Sequence, residues 1–528
     1  TAGTIAKELG AEKHGARCDV VYPATTREID ANLLVKDCDE EIAAVERRLG
    51  ARGPARVRAF FFQDAEQKKR LMGAAHTYIA KPWREEVYLQ LGSYPHPVLG
   101  HEIAHVVAGS FGRGPFRIAG SLGGLFPNPG LIEGVAVATS PDDDELTDLE
   151  WAAAMKRRNA LPPMSRVFSV GFLGESAAKS YTLAGAFVRW VLDTKGSAAV
   201  RAWYGGEPLE KIFGESFAAI DAKFRASLDA IVLPPAAEAY VASKFERPSV
   251  FGRKCPHVVD ALRKHADTCR EGHQIERARG LYDDALALDP NEQHVLLARG
   301  IMEMRSGDAA RGRREVTALA GDERQPLAVR NKAREALADD DLLSGKTDLA
   351  ASEYSDLAAQ TPDEDTARAL EVKASAARDP DARPAITTLL IAAPSTDPPQ
   401  AGRRENPTTS WSRPADPALA ASMLGEWRGK TGSPLATYLL GKSEIARGYY
   451  ALAATDFDAV LAAPETPELT PRIRREALRQ RAAAACALGD AAAIARVRAL
   501  AEAPNGVYAG SAGGRREGVV RLLDRCAP

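Results

Sequence analysis

The 528-residue chain is 45% hydrophobic and 27% charged, a composition that buries large cores and suits about two to four globular domains. Its net charge of -2 lacks the basic excess of a phosphate-tracking surface, so no nucleic-acid partner is expected. No apolar run reaches the roughly 18 to 20 residues that would span a membrane.

The sequence starts at Thr1 rather than at a methionine and shows no signal peptide, so it reads as a processed or truncated product. "ARCDVVYP" (16–23), "RVRAFFFQ" (56–63) and "REEVYLQLGSY" (84–94) are rich in β-branched and aromatic residues and predict strands. Between the first two, residues 26–50 carry apolar side chains at helical spacing and end at Gly50. In the third, Val87, Leu89 and Leu91 alternate with Tyr88 and Gln90, which fits a half-buried edge strand. His76 and His96 read as loop residues.

"HEIAHVVAG" (101–109) follows. Pro97 stands where a first helical position tolerates it, and Gly109 or Gly112 can stop the helix. The stretch "GSFGRGPFRIAGSLGGLFPNPG" reads as a mobile flap or a long surface loop. "NPGLIEGVAVATS" (128–140) predicts a helix capped by Asn128, with Pro129 first and Glu133 in its second turn. Gly134 and Ala136 are small enough for this helix to pack closely on the preceding one. Asp142 to Glu145 read as a solvated acidic turn. "SAAKSYTLAGAFVRWVLDTKG" (176–196), with its terminal glycine, and residues 217–232 predict further helices, and Pro234 and Pro235 mark a boundary.

Beyond residue 236 strand signals vanish. Helices recur at 276–290, 346–362 and 448–464, each with small residues at contact positions, a mid-helix aromatic and a closing proline. They resemble the second helices of tetratricopeptide repeats, against the plainer reading of a generic helical bundle. Residues 392–417 hold six prolines and read as a linker or long loop. The expected organisation is α+β over 1–234, then helical regions at 235–391 and 418–528 flanking that linker.

The chemistry concentrates in HEIAHVVAG. His101 and His105 are four apart, so on a helix they project from one face and can grip one zinc ion. Glu102 sits beside them as a general base for the activated water. Ala108 and Phe111 stand where metzincins need glycine and histidine, which excludes that class. Glu133 is the candidate third ligand, leaving one position open as catalytic zinc sites do.

"HEIAHVVAG", "LIEGVAVA" and "SYTLAGAFVRWVLDTKG" together resemble the gluzincin metallopeptidases, specifically the bacterial peptidase MA-like group, over roughly residues 15 to 232. The resemblance implies one zinc per chain on His101, His105 and Glu133, with Glu102 as base. It also implies that Tyr181 donates to the oxyanion and that an edge strand pairs with an extended peptide substrate. The leading expectation is a zinc metallopeptidase whose helical half binds a protein partner. Two alternatives remain: a catalytically inactive scaffold acting through its repeats, and a zinc hydrolase of a non-peptide amide or ester bond. The six cysteines (Cys18, Cys38, Cys255, Cys269, Cys486, Cys526) lie two by two and suit local disulfides, with free buried thiols as the other reading. A single helix over 256–271 would hold Cys255 and Cys269 too far apart to bond. The cysteines and the missing start favour a secreted, periplasmic or membrane-tethered setting over a cytoplasmic one.

Overall fold

A computed structural model describes residues 2–75, 77–121, 126–140, 144–174, 177–234, 236–245, 256–272, 274–391, 417–509, 511 and 513–526. These residues are mostly helical, with a small mixed sheet, in an α+β unit and a helical unit. His76, Asp142, Asp143, Pro235, Cys255 and nearly all of the 392–417 linker lie outside the described residues. The chain forms two compact units, neither contiguous in sequence. One comprises Thr1–Ser249, Glu444–Ala454 and Leu478–Pro528; the other comprises Val250–Ser443 and Thr455–Ala477. Linear segments drawn at residue 234 therefore leave out the C-terminal stretches that pack with the sheet-bearing unit.

In that unit the main sheet comprises β1 (Gly10–His14), β2 (Cys18–Pro23), β3 (Val57–Phe62), β4 (Ile79–Lys81) and β5 (Glu86–Gln90), and Gly120–Ser121 pairs separately with Phe126–Pro127. Their order is β1-β2-β3-β5-β4. β2, β3 and β5 run parallel, and β1 and β4 pair antiparallel at the two edges. The expectation that the 84–94 strand forms an edge is thus corrected: β5 is interior, and β4 is the edge beside it. Three residues are too few to show strand periodicity, which is why β4 escapes the sequence.

Helices α1 (Ala2–Leu9), α2 (Glu28–Leu49), α3 (Ala65–Met72) and α4 (Leu99–Ala108) complete the layers. Val20, Ala59, Phe61, Val87 and Leu89 pack with α2 and α4 in one core. Val21, Phe60, Phe62 and Tyr88 pack with α1 and α3 in another. Both faces of the sheet are covered, so "DVVY" and "FFF" are apolar runs without alternation, as buried parallel strands require. In α2, Glu28 and Asp30 occupy the first turn and Arg47 and Arg48 the last, complementing the helix dipole. Gly50 ends it at φ 56°, a left-handed cap that favours glycine. The Cys18–Cys38 disulfide staples β2 to α2. Closing that loop contributes about 3 kcal/mol by the chain-entropy estimate.

Next come α5 (Pro129–Thr139), α6 (Asp148–Arg157), the short α7 (Met164–Val167) and α8 (Ala177–Tyr204). Gly196 (φ 79°) breaks α8 where the sequence expects a stop, but helix resumes to Tyr204. The close approach expected of Gly134 is real, though its partner differs. A Cβ there would come 2.8 Å from the Ala184 carbonyl oxygen, so the helix it admits is α8 rather than α4.

In the helical unit Pro256–Glu271, Ile275–Leu288, Gln293–Ser306, Ala309–Gly321, Leu327–Leu343, Thr347–Gln360 and Glu364–Arg378 each pack on the next. A Cβ at Gly312 would overlap the backbone of Met304, so a glycine marks the contact of Ala309–Gly321 with Gln293–Ser306, whereas Gly280, within the 276–290 stretch, meets nothing within 4 Å. Cys269 is a buried free thiol, and a second disulfide, Cys486–Cys526, lies in the sheet-bearing unit.

Candidate metal centre

α4 begins at Leu99, two residues beyond the expected Pro97, and its cap position Val98 offers no side-chain acceptor. His96 supplies one. Its Nδ1 accepts the N–H groups of Leu99 (3.1 Å) and Val98 (3.2 Å), and its Nε2 donates to the Gln90 carbonyl (3.0 Å). Those partners fix the proton on Nε2, and burial depresses the ring's pKa in keeping with a neutral imidazole. His96, a loop residue by sequence, thus satisfies backbone donors that a helix start leaves unpaired.

From this start α4 projects His101 and His105 from one face, their rings 4.9 Å apart and nearly perpendicular. α5 is set by its cap, where Asn128 Oδ1 accepts from the Leu131 N–H (3.1 Å) and Pro129 opens the helix. That phase turns Glu133 toward the two histidines. Its Oε2 lies 3.1 Å from His101 Nε2 and 3.4 Å from His105 Nε2. The three donor atoms all fall within 4.8 Å of one another. Donors at zinc's preferred 2.0–2.1 Å in a tetrahedron stand about 3.3–3.4 Å apart. Glu133's separations from the two histidines match that edge and the remaining one is within 4.8 Å, so the two nitrogens and one carboxylate oxygen can hold a single metal ion. Among the described residues no other such group of three or more ligand types occurs. Of the acidic rivals, Asp144 pairs with Lys244, and Glu145 pairs with Arg515 at 2.6 Å.

The electrostatics follow from burial and charge crowding. Burial pushes the Glu133 carboxyl up, but hydrogen bonds from His101 and His105 reverse this and hold it far below the usual carboxylate range. His105 is depressed by burial and more than restored by Glu133 and Glu102. Glu102 is 6% exposed, and burial raises its pKa against the pull of His105 and His101. A carboxyl raised in this way is better matched to proton transfer near neutral pH. Lys68 on α3 is a second buried charge in reach of Glu102. Its ammonium bonds the Thr77 carbonyl and lies 5.2 Å from the Tyr78 ring centroid. Nothing in the sequence marks Lys68, because its contacts are tertiary.

Tyr181, on the first half of α8, joins the same centre. Its ring is 6.3 Å from that of His101 and 5.4 Å from that of Phe172. Burial, then the charges of Glu133 and Glu102, raise its pKa, so the phenol stays protonated and able to donate. The tight α5–α8 contact at Gly134 brings it there. A cavity of about 320 Å³ opens beside His101 and Tyr181, with Val137, Leu146 and Leu149 on its walls. The His101, Glu102, His105, Glu133 and Tyr181 side chains singled out in the sequence are therefore brought together in one place.

Comparison with known proteins adds no relative: no family model matches the chain, and no curated protein matches it significantly.

Proposed function

We propose that the chain is a zinc metallopeptidase of gluzincin type that hydrolyses peptide bonds in a peptide or protein substrate. The observation that carries this reading is the convergence of His101, His105 and Glu133 from facing helices, with Glu102 buried at the same helix turn. Bound there, zinc supplies a water activated near neutral pH and a Lewis acid for the scissile carbonyl. Glu102 takes the proton of the attacking water and returns it to the leaving amine. Tyr181 donates a hydrogen bond from its hydroxyl to the oxyanion that develops on the carbonyl. The outer edge of β4 offers unpaired backbone groups, to which an extended substrate adds as a further strand.

The helical unit is the site for a protein partner in this reading. Tyr282 donates to Asp267 (2.6 Å) and Tyr354 donates to Asp339 (2.8 Å), each across a hairpin to an aspartate fifteen residues earlier. Recurrence of one tyrosine–aspartate contact supports tetratricopeptide-like repeats over a generic bundle. The two disulfides fit an oxidising compartment.

The test is elemental mass spectrometry of protein purified without chelator, followed by cleavage of a peptide library. About one zinc per chain and metal-dependent cleavage are expected. Zinc without peptide cleavage would shift the reading to a non-peptide amide or ester bond. Protein that takes up no zinc would leave the α4 helix a relic and move the function to the repeats.

A further inference from the structure

The C-terminal helix, Gly513–Cys526, stands far from the metal ligands in sequence, yet its last turn is built into their support. Arg525 is buried, and its Nη1 lies 2.6 Å from both Asp37 Oδ1 and Glu41 Oε1. Glu40 Oε2 stands 3.7 Å from its Nε. Three carboxylates of α2 therefore share one guanidinium. Two of them reach the first turn of α4 by separate routes. Asp37 Oδ2 accepts the backbone N–H of His96 at 2.7 Å, and His96 in turn accepts the N–H groups of Val98 and Leu99. Glu41 lies under Gly100, where a Cβ would come within 2.6 Å of its Oε2. Gly100 adjoins the ligand His101. The residue after Arg525, Cys526, is bonded to Cys486.

We propose that Arg525 is a positioning residue of the metal centre. Through Asp37 and Glu41 it holds the first turn of α4 where His101 meets Glu133, and the Cys486–Cys526 disulfide fixes the helix that carries it. This rests on the reading of α4 as a metal-binding helix. The physical basis is that ligands must sit within a fraction of an ångström of their working positions, and outer supports of a ligand are known to set metal affinity over a 10- to 100-fold range. A buried guanidinium whose Nη1 lies between two carboxylates is a charge-assisted means of doing so.

The experiment is zinc titration of the whole chain in competition with a chromophoric chelator, for wild type, Arg525→Met, Arg525→Lys, Cys526→Ser and Asp524→Asn. Arg525→Met is expected to weaken zinc binding about tenfold or more and to lower kcat with little change in KM. Arg525→Lys, which keeps the charge but not the planar guanidinium, should recover part of the loss, and Cys526→Ser should fall between. Asp524→Asn, on the same helix as Arg525, breaks the pair with Arg498 of Ala491–Glu502 (2.7 Å) and should leave zinc affinity unchanged. Wild-type zinc affinity in a folded Arg525→Met protein overturns the proposal while leaving the metal site standing. Where Arg525→Met does not fold, wild-type affinity in both Arg525→Lys and Cys526→Ser overturns it. A wild-type chain that binds no zinc removes the metal reading itself, and the proposal with it.

Discussion

At the scale of single residues, the proposed chemistry separates into groups that hold the metal and groups that move protons. Glu102→Gln keeps the shape and burial of the side chain but removes the base. Zinc content should be unchanged while kcat falls by about 10²- to 10⁴-fold; undiminished turnover would take Glu102 out of that role. Glu133→Ala removes the oxygen that both histidines face, so zinc affinity itself should fall, read by the same chelator competition. Tyr181→Phe preserves the packing on Phe172 and deletes only the hydroxyl. Its kcat should drop by about 10²-fold or more with KM nearly constant, and an unchanged kcat would make Tyr181 a core residue. His101, Glu102, His105 and Glu133 were legible because local rules fix them, and Tyr181 only through the family resemblance. A spacing of four sets one helical face, and the Asn128–Pro129 cap sets the phase that aims Glu133. His96, Lys68 and Arg525 were not legible as parts of the site. Their roles lie in contacts such as Asp37–Arg525, which no local pattern encodes.

At the scale of elements, the helical hairpins are also joined by buried charge. Lys373 Nζ lies 2.8 Å from Glu335 Oε1 and 2.8 Å from Asp339 Oδ1, linking Glu364–Arg378 to Leu327–Leu343. Burial pushes the Glu335 carboxyl up, but Lys373 and Lys332 more than reverse this and hold it at about 2, below its ordinary 4.5. A depressed carboxylate pKa contributes stability that is present above 4.5 and lost as pH falls toward 2. The contribution at neutral pH is on the order of 3 kcal/mol. Hydrogen exchange in these two helices should therefore accelerate between pH 4.5 and 2 more than intrinsic rates explain. Lys373→Met should flatten that response, and an unaltered response would assign it elsewhere. The sequence gives such helices readily, since apolar spacing and closing prolines mark 276–290 and 346–362. It does not give β4, which is too short for periodicity, nor the interior place of β5. Strand order depends on which edges meet in space, and alternation along one strand does not encode it.

At the scale of the molecule, the sheet-bearing unit is closed by chain that arrives last. Its C-terminal helix contributes Arg525 to Asp37 and Glu41, Arg515 to Glu145 (2.6 Å) and Arg189's partner Glu517 (3.2 Å). Residues 513–526 form a helix, but no local pattern says which core it joins, so a boundary near 234 is the natural linear reading. A fragment ending at residue 249 keeps the metal ligands and loses all four of these arginine–carboxylate contacts, leaving Asp37, Glu41 and Glu145 without their guanidinium groups. Each buried carboxylate stripped of its guanidinium costs about 3–5 kcal/mol. Two or three such losses match the whole stability of a typical domain, about 5–15 kcal/mol. The 1–249 fragment is therefore expected to be insoluble or to melt far below the full chain, and co-expression with a 478–528 segment should restore soluble, cooperatively melting protein. A fragment that melts with the full chain would show that the sheet and α1–α8 suffice, and would reduce the C-terminal helix to an attachment.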